Sequence, residues 1–547
     1  MQSQWMKRSL GVSGLLATLL VVAGCSMAPT YEVPSVPGKG TPTAFKEAVL
    51  PANEAGTWKT AEPSEAMARG EWWKVFGDAT LDKLEDDALS ANQNLKAAAA
   101  RVQEARGVQR QARAALFPTL DAGFGPSRQK ISPASQLLPD GTNIAPYTLW
   151  RAQASVGYEV DLFGRVSDNV AAARADAEQS EALYRSVQLA LQADVAQNYF
   201  NLRELDAEQA LYTQTVILRE QALKLVQRRF TEGDIGELDV ARAKAELATA
   251  QSDALAVARL RAASEHSLAI LLGKTPAEFT FAPSPLEPVT VRIPAGLPSA
   301  LLERRPDIAA AERAMAAANS RIGVAKAAFF PSLSLTGSGG FEAATLGDLF
   351  NWSSRTFLLG PVVGGLLSIP IFDGGALSGN LSRARAQYEE DVAKYRQQVL
   401  VAFQEVEDNL SNLRLLAQQT RAQDDAVKAS SRAAQLSRTQ YQEGSIAYLD
   451  VIDAERTVLQ TRRSAVQLAG AQAVSTVNLI RALGGGWGDL PKSTKSPDTP
   501  DTPGTSDTPA NGSGAAPVTP TASAPGSTGP LGSIDPLGPS RASVAAR

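Results

Sequence analysis

Few residues in this chain are equipped for chemistry. The only histidine, His266, lies on a helical stretch otherwise bearing Ala, Leu and Ser, which leaves no histidine cluster for a metal and no second imidazole for acid–base work. Gly337 to Gly340 fit a small-residue strand better than a nucleotide fingerprint, and no phosphate loop is present. Trp72 and Trp73 read as packing anchors rather than a ligand platform. No catalytic residue, metal ligand or cofactor is therefore assigned. Two kinds of reactive group remain. One is the single thiol, Cys25. The other is a set of carboxylates, Asp239, Asp450 and Asp453, placed where a first-turn acid favours the helix dipole.

Lys7 and Arg8 precede an apolar run from Leu10 to Ala23, too short for a mature transmembrane helix but suited to an export signal over residues 1–24. The run ends in Val22-Ala23-Gly24-Cys25. This resembles a bacterial lipobox, with Val22 where Leu is typical, so Cys25 is expected to become an acylated N-terminus and the covalent lipid to be the only bound group. No second cysteine exists to form a disulfide. Ser26, rather than Asp, favours the outer membrane. A net charge of −4 with 20% charged and 44% hydrophobic residues implies no nucleic acid. One lipid group attaches a protein to a single leaflet and makes no channel; something else must cross.

The stretch EGDIGELDV from Glu232 returns as EGSIAYLDV from Glu443, 211 residues further on, with six of nine positions identical. AALFPTL from Ala114 pairs with AAFFPSL from Ala327, DLFGR from Asp161 with PIFDGG from Pro370, and Leu272-Gly273 with Leu483-Gly484, at offsets of 209 to 213. The chain is thus an internal duplication: a first repeat over 79–273 and a second over 299–484, with a linker at 274–298. Residues 25–78, rich in Pro in their first half, read as an extended wrapping segment, and 485–547, with repeated Asp-Thr-Pro, as a disordered tail.

In each repeat a proline-free stretch, Val166 to Phe230 and Ala376 to Tyr441, predicts a single helix of about 100 Å at 1.5 Å per residue. Shorter helices are expected over 79–115, 236–272, 299–328 and 446–483; stacked end to end, each pair matches the long helix, as staves of one tube would. Apolar positions from Leu377 to Ala417 recur with a period near 3.64, that of nearly untwisted packing. Val216, Leu223 and Phe230, seven apart, point to coiled-coil winding toward the repeated turn.

Between short and long helices the period becomes two. Trp150, Ala152, Ala154, Val156, Tyr158 and Val160 alternate with Arg151, Gln153, Ser155, Gly157 and Glu159; Leu333, Leu335, Gly337, Gly339 and Phe341 alternate with Ser332, Ser334, Thr336, Ser338 and Gly340. Trp150, Val156, Tyr158, Leu333, Leu335 and Phe341 are the expected lipid-facing residues, with Trp150 and Tyr158 about 26 Å apart as aromatic girdles. Leu116 to Ser127 and Thr356 to Ile369 alternate less cleanly. Four strands cannot close a membrane barrel, whose smallest versions have eight, so the chain must oligomerise; a dimer and a trimer remain open at this point.

GEWWKVFGDATLDKLEDDALSANQNLKAA from Gly70, the two Phe-Pro joints, RRFTEGDIGELDVARAKAEL from Arg228 and YLDVIDAERTVL from Tyr448 resemble the lipoprotein branch of outer-membrane efflux factors, the TolC-like family. The resemblance covers about Cys25 to Trp487. It implies a mainly α fold with a transmembrane β-barrel: a homotrimer whose twelve-stranded barrel continues into a twelve-helix periplasmic α-barrel, with an equatorial belt from the N-terminal segment and linker. It also implies an exit duct of a tripartite efflux pump in a Gram-negative outer membrane, working with a periplasmic adaptor protein and an inner-membrane transporter. The two repeated turns become tips that dock the adaptor, through Gly233, Asp234, Ile235, Gly236 and Asp239 in the first and Gly444, Ser445, Ile446 and Ala447 in the second. Asp450 and Asp453 fall where the family places constricting aspartates, six carboxylates in a trimer, and Tyr441 matches a tyrosine of its closed-state contacts, with packing an equal explanation for it. Two departures matter: the bridging Arg position is Ile446, and the position matching Asp453 in the first copy is Arg242, so Asp239 is assigned to first-turn stabilisation or tip pairing rather than gating.

Two other readings share parts of this pattern. A lipid-anchored periplasmic coiled-coil scaffold or adaptor would use the long helices and the anchor but not the strands; an exit duct for protein secretion would use both. Drugs, metals, solvents and secreted peptides all remain open as cargo.

Overall fold

The computed structural model describes residues 26–35, 45–48, 71–137, 139, 142–287, 305–360 and 365–485. The expected signal, Cys25, parts of the N-terminal segment and linker, and the tail beyond 485 lie outside the described residues.

In chain order the elements are α1 (Ala79–Ala91), α2 (Gln93–Ala114), β1 (Thr119–Gln129), β2 (Tyr147–Val160), α3 (Arg165–Thr231), α4 (Glu237–Leu271), α5 (Pro306–Ala327), β3 (Ser332–Ala343), β4 (Arg355–Leu359), β5 (Gly365–Ser368), α6 (Ala376–Gln442) and α7 (Tyr448–Ala482). The long helices α3 and α6 have 67 residues each. Both begin with an aspartate reaching forward from the landmark motif: Asp161 accepts from the amides of Val166 and Ser167 at 3.0 and 2.8 Å, and Asp373 from those of Gly375 and Leu377 at 2.9 and 2.6 Å. First-turn amides without intrahelical partners are satisfied in this way.

The helices form a row. α3 packs on one side against α2 and α4, and on the other against α5 and α7, which in turn pack against α6. Each long helix thus lies beside short ones that meet end to end, and the two junctions are built alike. The Asn92 side chain donates to the carbonyl of Leu271 at 2.9 Å, and the Arg305 guanidinium to that of Ala482 at 2.9 Å. In both repeats the side chain just before an upper helix closes the last turn of the lower one. One expectation is corrected here: the helix predicted over 79–115 is broken at Asn92, whose ψ of 127° leaves the helical range and whose side chain accepts from the Leu95 amide at 3.0 Å to start α2.

The largest core lies at this level. Trp73, Leu81, Leu84 and Ala88 pack on Leu191, Val195, Tyr199 and Leu202 of α3, Leu268 of α4 and Val477 of α7. Each fully buried Leu there contributes about 2 kcal/mol. Trp73 is 1% exposed, and Trp72 donates from its indole nitrogen to Gln192 at 3.1 Å, so both tryptophans anchor packing, as expected. The α6 stripe from Tyr395 through Val399 to Val406 is buried, bearing out the 3.64 period. The seven-residue spacing holds toward the tip on a neighbouring stripe: Tyr212, Arg219 and Val226 are buried, Leu223 packs half-buried against the tip core, and Phe230 is exposed.

One buried group opposes this core. Glu85 is wholly buried with neither carboxylate oxygen hydrogen-bonded. Burial, with Asp86 and Asp82 nearby, pushes its carboxyl up to about 9. The folded chain therefore keeps a proton that the unfolded chain releases near 4.5, so stability falls as pH rises from about 4.5 toward 9. Replacing Glu85 by Leu is expected to raise stability by about 3 kcal/mol at pH 7 and to flatten that slope. Thermal unfolding in detergent at pH 5, 7 and 9 checks both, and an unchanged slope refutes the assignment.

Candidate functional site

The strands form one antiparallel sheet in the order β1-β2-β3-β4, with β5 also on β3. The fourth strand position is therefore split into β4 and β5, not continuous from 356 to 369; residues 361–364 between them lie outside the described set. Directly paired residues share a face. Leu120, Ala122 and Phe124 pair with Val156, Ala154 and Ala152; Ala152, Val156, Tyr158 and Val160 pair with Phe341, Gly337, Leu335 and Leu333; Gly339, Gly337 and Leu333 pair with Phe357, Leu359 and Leu367. All six expected lipid-facing residues lie on this single apolar face. Its first and fourth strands, whose alternation was less clean in sequence, add Leu120, Phe124 and Phe357, which are 77%, 64% and 80% exposed in the single chain. The other face carries Gln153, Ser155, Ser334, Thr336 and Ser338, with Arg151 ion-paired to Glu342 at 2.9 Å. Among the described residues no helix is long and apolar enough to cross a membrane.

The repeated nine-residue motif makes one turn twice. After α3, the Gly233 amide donates to the carbonyl of Phe230 and the Asp234 amide to that of Arg229; after α6, Gly444 donates to Tyr441 and Ser445 to Gln440. Gly233 and Gly444 have φ of 84° and 75°, the left-handed conformation that ends a helix in this motif and that glycine adopts without strain. Ile235 and Ile446 then fold back onto Val226, Val240, Tyr441, Tyr448, Val451 and Ile452. The next helix restarts at once. The sequence motif thus encodes a helix stop, an apolar rivet and a helix start.

The acidic and aromatic residues assigned to a gate sit at this end with other partners. Asp450 accepts from the Ala447 amide at 3.1 Å, closing the first turn of α7, and Asp453 lies 3.6 Å from Arg456; both side chains are exposed. Asp239 pairs with Arg242 at 3.3 Å. Tyr441 makes no hydrogen bond through its buried hydroxyl; its ring lies 5.4 Å from that of Tyr448 and under the Arg229 guanidinium. Within one chain it packs rather than bridges. Burial pushes the neighbouring Tyr448 hydroxyl up to about 12, partly offset by Arg219.

A cluster missed in the sequence links all four tip-end helices. Arg219 of α3, 4% exposed, pairs with Glu246 of α4 at 3.4 Å and Glu455 of α7 at 3.1 Å. Arg456 also pairs with Glu246, and Arg438 of α6 with Glu455 at 2.6 Å. The signal was present: Arg219 falls midway between Tyr212 and Val226 at heptad spacing, a charge on a buried stripe. Among the described residues no group of three or more His, Cys, Asp or Glu is placed to hold a metal.

A one-sided sheet joined through paired Asp-capped turns to a row of long helices defines a subunit of a barrel-and-tunnel outer-membrane channel. The outer membrane efflux protein model matches residues 84–274 and again 297–485. The chain is 34% identical over 481 residues to the probable efflux pump outer membrane protein TtgC of Pseudomonas putida, covering 86% of this chain and 95% of that protein. It is 33% identical over 472 residues to the cation efflux system protein CusC of Escherichia coli, covering 86% and 97%. Its fold matches the open-state MtrE outer membrane channel of Neisseria gonorrhoeae with a TM-score of 0.72 at 31% identity, covering 84% of this chain and 98% of that one. The chain belongs to the outer membrane efflux protein family. It is an exit duct of an efflux pump, lying in the outer membrane and reaching into the periplasm, and it supplies one subunit's share of the trimeric barrel and helical tunnel.

Removing the buried cation at the tip end strands two carboxylates, each left with one exposed arginine. Arg219→Ala is expected to destabilise the tip end by about 3 kcal/mol, seen as faster amide exchange in residues 212–246 and 448–456, while the barrel end keeps its protection.

Proposed function

We propose that the duct is closed at its periplasmic end by the six carboxylates that Asp450 and Asp453 bring together in a homotrimer, that the repeated tips seat a periplasmic adaptor coupled to an inner-membrane transporter, and that Cys25 carries a lipid anchoring the N-terminus to the outer membrane. The observation that carries the reading is the agreement of edges. The sheet is open at β1 and at β4/β5, and the helix row is open at α2/α4 and at α6. Because the strand order and the helix order follow the same sequence of neighbours, one rotation closes both. Exposed Leu400, Leu415 and Leu436 of α6, and Leu238, Leu255 and Ile270 of α4, lie on the helices at these two edges and supply apolar contact area.

Converging carboxylates repel one another and attract cations, which narrows passage and favours cation flow. Asp450 already caps α7, so its removal carries a helix cost of about 1 kcal/mol that Asp453 does not share. At the tips, exposed Gly233, Asp234, Gly444 and Ser445 present polar, side-chain-poor turns to a partner, with Ile235 and Ile446 held behind them. Relatives are named for toluene, antibiotic and cation efflux; the cargo of this chain follows from the transporter it serves.

In planar bilayers the protein is expected to give low, cation-favouring conductance that rises severalfold in the Asp450→Ala/Asp453→Ala variant. Unchanged conductance removes the gate assignment, and absence of channels removes the duct. Mass spectrometry of the mature N-terminal peptide, with Cys25→Ser as control, tests the anchor separately.

A further inference from the structure

The two hairpins of one chain, α3/α4 and α6/α7, meet mainly where α3 packs on α7. Toward the tips this seam is held by the Arg219–Glu455 pair. Higher up, Glu208 accepts from Gln467 at 2.7 Å and lies 3.5 Å from Arg463, Gln197 donates to Asn478 at 3.0 Å, and Asp194 stands 3.9 Å from Arg481. The bridging residues on α7 run from 455 to 481, about 39 Å of helix. Along this length the bridges between the repeats are polar.

One member of the seam has no bridge. Glu204, on α3 one turn before Glu208, makes no hydrogen bond or ion pair among the described residues, and its carboxylate lies against α7 where Gly470 stands; a Cβ on that residue would overlap it. Leu468, Ala473 and Val477 of α7 are buried around this level. α7 therefore has a hole shaped for an acid that nothing there neutralises. Of the charged groups facing it, Glu208 is an acid on the same helix, and Arg463 of α7 is engaged with Glu208. Neighbouring Arg203 and Asp206 turn to the other side of α3, to the carbonyl of Ala282 and to Arg261. Gln467 is neutral and also committed to Glu208.

We propose that Glu204 in the Gly470 notch is a proton-operated latch between the two repeats, seated when neutral and expelled when ionised, so that the hairpin seam loosens as the surrounding medium becomes less acidic. Burial, reinforced by Glu208, pushes the Glu204 carboxyl up to about 7. An undocked carboxyl titrates near 4.5, so docking takes up a proton. Opening of the seam rises by somewhat less than tenfold per pH unit between roughly 5 and 7 and levels off above that. The inference is independent of the Asp450/Asp453 gate, which lies at the far end of α7.

The test is amide exchange by mass spectrometry on the purified full-length protein in detergent, following α7 peptides across 463–478 from pH 5 to 8.5, corrected for intrinsic rates. The wild type is expected to show opening that increases about 40-fold from pH 5 to 7 and then flattens. Glu204→Gln keeps the shape, cannot ionise, and is expected to stay protected at every pH. Gly470→Ala fills the notch and is expected to give a flat, unprotected profile. A wild type without pH dependence, or a Glu204→Gln protein that follows the wild-type profile, overturns the latch; should Gly470→Ala fail to assemble, the Gln variant decides alone.

Discussion

A backbone amide or carbonyl left without a partner in hydrocarbon costs several kcal/mol, and a sheet with free edges therefore cannot remain in a membrane. Everything else in this chain follows from that constraint. β2 and β3 are paired on both sides, but β1 and the β4/β5 position each have one unpaired side. Partner strands come only from other copies, and three copies give the twelve strands of a closed barrel. The tunnel obeys the same closure for a different reason. Its helices satisfy their own backbones, yet α6 and α4, at the ends of the row, carry exposed apolar residues in the single chain. A single symmetry operation thus meets a hydrogen-bonding demand above and a hydrophobic one below.

The duplication makes this economical in sequence. Each repeat needs one instruction to turn from strand to long helix and another to reverse at the tip. Asp161 and Asp373 supply the first by capping from outside the helix. The second is carried by a glycine in left-handed conformation, an isoleucine folded back on the core and an acid, Asp239 or Asp450, in the first turn of the next helix. What differs between the copies is telling. Arg242 stands where the second copy has Asp453, so Asp239 pairs within its own tip at 3.3 Å, while Asp453 reaches Arg456 only at 3.6 Å and is the more exposed of the two.

Much of this was legible from residue types alone, because long-range periodicity reports which face is wet. The 67-residue helices, the tip turns, the apolar sheet face and the duplication could all be read. Three features could not. The break at Asn92 depends on a tertiary bond to the Leu271 carbonyl, which no local pattern contains. The split of the fourth strand shows only as a register shift against β3, where Gly337 faces Leu359 but Leu335 faces Gly365. The buried Arg219 cluster was hidden because charged residues on a long helix are ordinarily solvated; only its heptad relation to Tyr212 and Val226 marks it. Tyr441 was matched to a closed-state tyrosine of the family, with packing as an equal reading; within one chain its contacts are those of packing.

A wall one helix thick has no conventional interior. Each helix touches a neighbour on two sides and meets water on the other two, so buried surface is confined to narrow seams. In such seams small residues and polar pairs share the buried strip with larger apolar ones; α7 buries Gly470 and Ala473 beside the bridges to Glu208 and Asp194, together with Leu468 and Val477. Polar seams are also more tolerant of small shifts than interlocked cores, because a hydrogen bond lost to a neighbouring residue can be replaced by water at the rim. The chain is therefore held differently at successive levels along one axis: by a shared sheet that cannot open without leaving backbone groups bare, a belt core locked by Trp73 and its neighbours, a seam of polar bridges below it, and an apolar tip core beside the Arg219 cluster.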